Sequence, residues 1–463
     1  MAAVGALLLV VSQAATFSIS LDPEKGVASG SASPINDPTA SGGVAIQFGS
    51  QGFVHPGILV GNNQLNFTKS KIAANQVPWK TAFDHAKGNQ LASKSYTPKP
   101  VTKVQCTTAG LLNDYEQIGC VDLNRDSAAT YTQALMWKLT GDRAYADKAI
   151  QIMNAWSSTL KEVPLDDPNG SNPKNDAEFW QSRLTLGWSS ESIIRGAELI
   201  RHSDAGWQQA DITRFETMLR TIYYPHLAEG WTGGSNPDAS WAEGLINMGI
   251  FLDDKQIYQK GIDHWKGVAR SMIYVASDGS KPQQFLSPRD NKYKTLTYGN
   301  PTSFIDGLEV ETCRDLSHTF MGLGALANGA ETAYIQGLDL YSDPEFKNKI
   351  MAGFELNSNY VNQALDYMAA NGINDSSLFD DTSSGSIRNV TIANWKLAGF
   401  PCADFKLSGG SAYLGQEIAL NHYMNRLNLS LPNTKILVER KRPQSGGNHL
   451  FFEALTHANN PNR

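Results

Sequence analysis

The sequence predicts an all-α protein, a helical toroid, and three observations carry that expectation. Segment after segment places apolar residues at i, i+3, i+4 and i+7, the period of a helix that buries one face. The linkers between segments are mostly short and carry Gly, Pro, Asn or Asp, so successive helices should pack antiparallel. No strict sequence period recurs, which sets aside a consensus repeat array and leaves a ring, an incomplete (α/α) barrel. With 41% hydrophobic and 10% aromatic residues in 463 positions, the chain can fill such a core.

Residues 1–16 hold an apolar run, Ala2 to Val11, followed by Ser12-Gln13-Ala14-Ala15. That pattern fits a signal peptide with a small-residue cleavage site, although the positively charged start is missing. Residues 17–53 are rich in Ser, Gly, Ala, Pro and Asp and read as an N-terminal arm. From residue 54 to 463 one toroid domain is expected. Its helices are predicted over 126–140, 146–160, 179–202, 211–224, 239–252, 254–276, 306–328, 331–341, 344–370 and 415–427, after a helical pattern through Ile72 and Phe83. Gly141 is the expected stop of the first of these. Residues 277–305 and 377–413 are the longest non-helical insertions, and in a ring such loops line the open end.

A net charge of −6 argues against a nucleic-acid binder, and no stretch after the first is apolar for long enough to span a bilayer. The four cysteines have no metal-ligand spacing. Cys106 and Cys120 are near enough in sequence for a local disulfide; Cys313 is either buried and free or paired with Cys402. Sequons at Asn66, Asn169, Asn374, Asn389 and Asn428 fit secretion. A secreted, soluble monomer is expected. The pairs Asp253-Asp254 and Asp380-Asp381 lack the ligand spacing of a calcium loop, so neither metal nor cofactor is anticipated.

The stretch that stands out runs from Asp306 to Asn328. On a continuous helix Glu311, Arg314 and His318 would share one face, a cation and an imidazole entering an otherwise apolar core side by side. Either they are paired structurally, with Arg314 bridged to Glu311 or Asp315, or they face a cleft. Tyr298, in the turn-rich segment Thr297-Tyr298-Gly299-Asn300-Pro301, is the upstream partner.

Glu311-Thr-Cys-Arg-Asp-Leu-Ser-His-Thr319 with Gly322-Leu323 resembles the core motif of the alginate-lyase-like superfamily of polysaccharide lyases. Asn236-Pro-Asp-Ala-Ser-Trp241 is similar to that group's asparagine motif. His55-Pro-Gly57, Pro78-Trp-Lys80, Ala134 to Asp142 and Phe452 to His457 add matches in the same order, so nearly everything from residue 54 is covered. The resemblance is nearest to the glucuronan-lyase-like branch, because Pro237 follows Asn236 where bacterial alginate lyases have a histidine. It implies an (α/α) toroid that cleaves a β-1,4-linked polyuronate, an acidic polysaccharide, by β-elimination. Glucuronan is the favoured substrate and alginate the next.

Such a reaction needs a donor set for the uronate carboxylate, a base for the C5 proton and an acid for the departing O4. Asn236 and Arg314 are assigned to the carboxylate, His318 to the base or its support, and Tyr298 to the acid. Trp241, Trp188 and Trp180, together with Trp231, are candidate platforms for sugar rings. Glu311, Gln181 and His55 are further substrate contacts, with Arg183 and His457 behind them. Two other readings compete. One is an inverting glycoside hydrolase using a pair among Asp122, Asp238, Glu243, Glu311 and Asp315. The other is a carbohydrate-binding relative without catalysis.

Overall fold

The computed structural model describes residues 32–36, 44–48, 52–106, 117–164, 180–230, 233–372, 389–390, 400–402, 407–408, 414–443 and 452–462. The expected signal peptide, the sequons at Asn169 and Asn374, Trp231, Asp380-Asp381 and most of 377–413 lie outside these residues. Two compact units divide the chain, Met1–Phe53 and Val54–Arg463. In the first, β1 (Ala32–Asn36) pairs antiparallel with β2 (Val44–Phe48), Ala32 opposite Phe48.

The second unit is helical, as its apolar periodicity requires. After the two-residue strands β3 (Gly57–Ile58) and β4 (Val60–Gly61) come α1 (Asn62–Ala73), α2 (Trp79–Gly88), α3 (Cys120–Thr140), α4 (Arg143–Thr159) and α5 (Trp180–Arg201). Next are α6 (Gln209–Met218), α7 (Tyr224–Glu229), α8 (Asn236–Phe251), α9 (Lys255–Met272), α10 (Leu316–Ile335) and α11 (Lys347–Ala370). The series ends with α12 (Gln416–Leu420), α13 (Pro432–Lys441) and α14 (Glu453–Thr456). A π-helical turn joins α6 to α7, and another follows α12. The 277–305 insertion holds only a one-turn 3₁₀ helix and the short hairpin β5 (Phe285–Leu286) and β6 (Tyr293–Lys294).

Burial separates an inner ring from an outer one. Every residue of α8 is buried, and nearly every residue of α10, so both are covered on all sides. α9 and α4 are buried along one face only. Inner neighbours touch in the order α3, α5, α8, α10, α12, α14, α1 and back to α3, while α4, α9 and α11 pack outside them. This is the (α/α) toroid. Polar groups fix its register: Glu243 on α8 pairs with Arg195 on α5 and accepts from Asn328 on α10 at 3.2 Å, all three fully buried. Gly141 closes α3 in a left-handed conformation, as expected.

One predicted helix moves. The 306–328 pattern becomes turns up to Asp315, and α10 then runs without a break into the 331–341 segment as far as Ile335. Asp315 is the reason, because its carboxylate caps the helix at that point. Glu311 and Arg314 therefore precede α10 and do not share a helix face with His318. Both disulfides form, Cys106–Cys120 and Cys313–Cys402.

Candidate active site

Two helix starts flank the outstanding motif. α8 opens with Asn236 and Pro237, a position where proline's missing N–H is one that would be unpaired anyway. α10 opens behind Asp315, whose Oδ1 accepts the His318 N–H at 2.9 Å. The start of α8 lies against the body of α10, where a Cβ on Gly322, the seventh residue of α10, would stand 3.4 Å from Asn236 Cα. A helix start carries unpaired N–H groups and a partial positive charge, so the start of α8, beside the segment that leads into α10, suits an anion.

Asn236 is buried, and its Nδ2 donates to Glu311 Oε1 at 3.1 Å, while its buried Oδ1 has no hydrogen-bond partner among the described residues. Glu311 Oε2 accepts from Arg314 Nη1 at 3.2 Å. The Arg314 side chain is nonetheless 54% exposed, so the guanidinium is both paired and presented to solvent. His318 Nδ1 lies 2.8 and 2.7 Å from the two Asp315 oxygens. A carboxylate only accepts, so Nδ1 carries the proton and Nε2 keeps its lone pair. Among the described residues no hydrogen bond reaches that Nε2. Glu309 sits behind, fully buried, with its Oε2 accepting the Glu311 N–H at 2.7 Å. Burial first, and then the Glu311 charge, push its carboxyl well above the usual range. The group can hold a carboxylate through Asn236 and Arg314 and take a proton at His318.

The sequence reading did not give Asp315 its role. The signal was present: Asp three residues before His, immediately ahead of an apolar run, is an N-cap pattern. Glu309 had no sequence signal, since the upward shift of its carboxyl comes from burial and from neighbouring carboxylates that the fold brings to it.

Several expected site residues lie elsewhere, and one is close by but not presented. Tyr298 packs against Val310 and Cys313 of the motif segment, near Glu309, yet it is not a presented acid. It is fully buried in a cluster with Tyr274 and Leu308, edge-on to Phe304, and its hydroxyl donates to the Ser271 carbonyl at 2.5 Å. Burial raises its pKa well above the ordinary phenol value. Its backbone, at φ 52° and followed by two more left-handed residues, turns the ring inward. Trp241 is core rather than a sugar platform, with zero exposure and its Nε1 donating to the Arg183 carbonyl at 3.1 Å. Arg183 pairs with Glu229, and His457 is buried against the Leu59 carbonyl. Trp188 and Gln181 are half-buried on α5. The backbone of Trp180 starts that helix, and its side chain lies outside the described set. His55 bonds Glu198 and Asp253, at the far end of α8 from Asn236. A hollow of about 740 Å³ between α9 and residues 285–291 includes none of Asn236, Arg314 or His318.

Residues 76–364, more than half of the chain, match the family described as alginate lyase. No curated protein matches. Among solved structures, alginate lyase A1-III from Sphingomonas species A1 is 15% identical, covering 68% of this chain and 82% of that one, with a TM-score of 0.46. An alginate lyase from Bacteroides ovatus is 16% identical over 68% of this chain and 86% of that one, with a TM-score of 0.42. The chain belongs to the alginate lyase family and is a polysaccharide lyase whose substrate is an acidic, uronate-containing polysaccharide.

Proposed function

We propose that the protein cleaves β-1,4-linked polyglucuronate by β-elimination, with polymannuronate as its next substrate, and that it acts after secretion. The observation carrying this reading is the Asp315–His318 pair set beside Asn236 and Arg314. Asn236 and Arg314 turn their donors from Glu311 to the uronate carboxylate, and the start of α8 reinforces them. Charge on that carboxylate resists formation of a carbanion at C5, so these donors lower the barrier as the carbanion develops. His318 Nε2 takes the C5 proton while Asp315 stabilises the imidazolium. The C4–O4 bond then breaks, the C4=C5 double bond forms, and O4 receives a proton. In D-glucuronate and D-mannuronate H5 and O4 leave from the same ring face. One imidazole can therefore take the first proton and return it to O4, a role that removes the need for Tyr298.

Pro237 after Asn236 favours glucuronan, in line with the motif resemblance. Secretion is supported by two disulfides and by the exposed sequon residues Asn66 and Asn428. Four of the five carboxylates of the hydrolase reading are engaged within the fold, and the fifth, Asp122, stands at the surface 3.8 Å from Lys99. Asp238 is held by the Gly234 N–H and His264, and Glu243 by Arg195 and Asn328; Glu311 and Asp315 are engaged as above.

Purified protein incubated with glucuronan, alginate blocks and pectate gives the test. Ultraviolet absorbance from a conjugated unsaturated uronate should rise fastest with glucuronan. Reducing ends without that absorbance would mean hydrolysis, and binding with neither signal would mean a non-catalytic relative.

A further inference from the structure

His55, Glu198 and His202 lie at the end of the toroid opposite the site above. Glu198 and His202 stand one turn apart at the C-terminal end of α5, and His55 comes from the segment just before β3. One donor atom from each falls within 4.8 Å of the others. Glu198 is fully buried. Its Oε1 accepts from His55 Nδ1 at 2.7 Å and from the Gly57 N–H at 3.1 Å. Among the described residues its Oε2 has no hydrogen-bond partner. Facing it at 3.6 Å is His202 Nε2, likewise buried and, among those residues, without a hydrogen bond. A buried carboxylate oxygen with nothing to accept from is costly, and a folded chain normally pairs it.

That separation is too long for a hydrogen bond. It is the right length for two ligands of one ion, since bonds of about 2.0–2.1 Å at tetrahedral to trigonal angles hold their donors about 3.3–3.6 Å apart. Two imidazoles and a carboxylate form a donor set that suits zinc rather than calcium or magnesium, which take oxygen ligands. Asp253 Oδ1 lies 3.2 Å from His55 Nε2, a contact that holds the ring proton at Nε2 when Nδ1, which donates to Glu198 in the ion-free chain, gives up its proton to the ion. The two histidine side chains are 16% and 25% exposed, which leaves an entry path. Their rings stack at 4.0 Å and 11°, so both lone pairs can address one ion only if the rings tilt apart.

We propose that His55, Glu198 and His202 bind a divalent zinc ion that pins the 54–61 segment to the end of α5. Its role is structural, because the sixteen residues of α8 separate Asn236 from Asp253 by about 24 Å.

The test uses the full chain, with any affinity tag removed, titrated with zinc chloride alone by calorimetry and followed by thermal unfolding. One ion per chain and a zinc-dependent rise in Tm are expected, with magnesium and calcium giving neither. His202→Phe keeps the ring stack but lacks the donor, and should weaken binding by at least about tenfold. Glu198→Gln should do the same, with folding of each variant checked by circular dichroism. X-ray absorption at the zinc edge should show nitrogen and oxygen neighbours at about 2.0–2.1 Å. Absence of saturable binding, or equal affinity in a folded His202→Phe variant, overturns the site. Loss of polyuronate cleavage on chelation far below Tm overturns the structural role.

Discussion

Asp315→Asn exchanges one carboxylate oxygen for an amide nitrogen and leaves the backbone of α10 alone. Asn caps a helix about as well as Asp, so the contribution to stability from the His318 N–H should change by less than about 0.5 kcal/mol. The catalytic consequence is much larger. Asp315 now holds the proton on His318 Nδ1 with contacts of 2.7 and 2.8 Å. An Asn side chain can donate to Nδ1, which moves the imidazole proton to Nε2 and removes the lone pair the reaction needs. It also takes away the negative charge that would stabilise the imidazolium. In serine protease triads the same exchange lowers kcat about 10⁴-fold. A fall on the order of 10³–10⁴ is expected here, equivalent to about 4–5.5 kcal/mol of barrier. The assay is initial-rate ultraviolet absorbance on glucuronan, with Tm measured in parallel. A kcat within about tenfold of the parent, in a variant of unchanged Tm, would refute the dyad.

Three other outcomes follow from the same contacts. Tyr298→Phe should keep cleavage within a few-fold of the parent and lower stability by roughly 1–3 kcal/mol, because the Ser271 carbonyl loses its partner; loss of most turnover with the fold intact would restore Tyr298 to the mechanism. Asn236→Ala should lower kcat by roughly 10²–10³ if its amide serves the developing charge, and unchanged kinetics would return it to a helix-start residue. His226 and His457 are buried and held neutral, each with its pKa lowered to about 4, chiefly by burial. Unfolded, they titrate near 6.5, so the unfolded chain binds more protons between about pH 6.5 and 4. Stability present above that window is lost as pH falls through it, up to roughly 3 kcal/mol for each histidine. Glu453, raised to about 7 by burial, and Glu309, raised well above the usual range, act in the opposite sense. The histidine contribution is therefore read by difference: between pH 6.5 and 4.5 a folded His457→Gln variant should lose less Tm, or gain more, than the parent, and parallel Tm–pH curves would show that His457 does not carry the linkage.

The helical class, the order of the elements and the motif at Glu311 to His318 were legible in the sequence, because apolar period and residue identity are local properties. Asn236 and Arg314 were legible for the same reason, as motif members at fixed places along the chain. Tertiary structure alone decided which side chains meet. Asp315 stops the helix and thereby separates Arg314 from His318, the packing of α8 against α10 brings Asn236 to Glu311, and an apolar cluster buries the Tyr298 ring behind the site. Burial and partnership depend on residues hundreds of positions apart, and no local pattern encodes them.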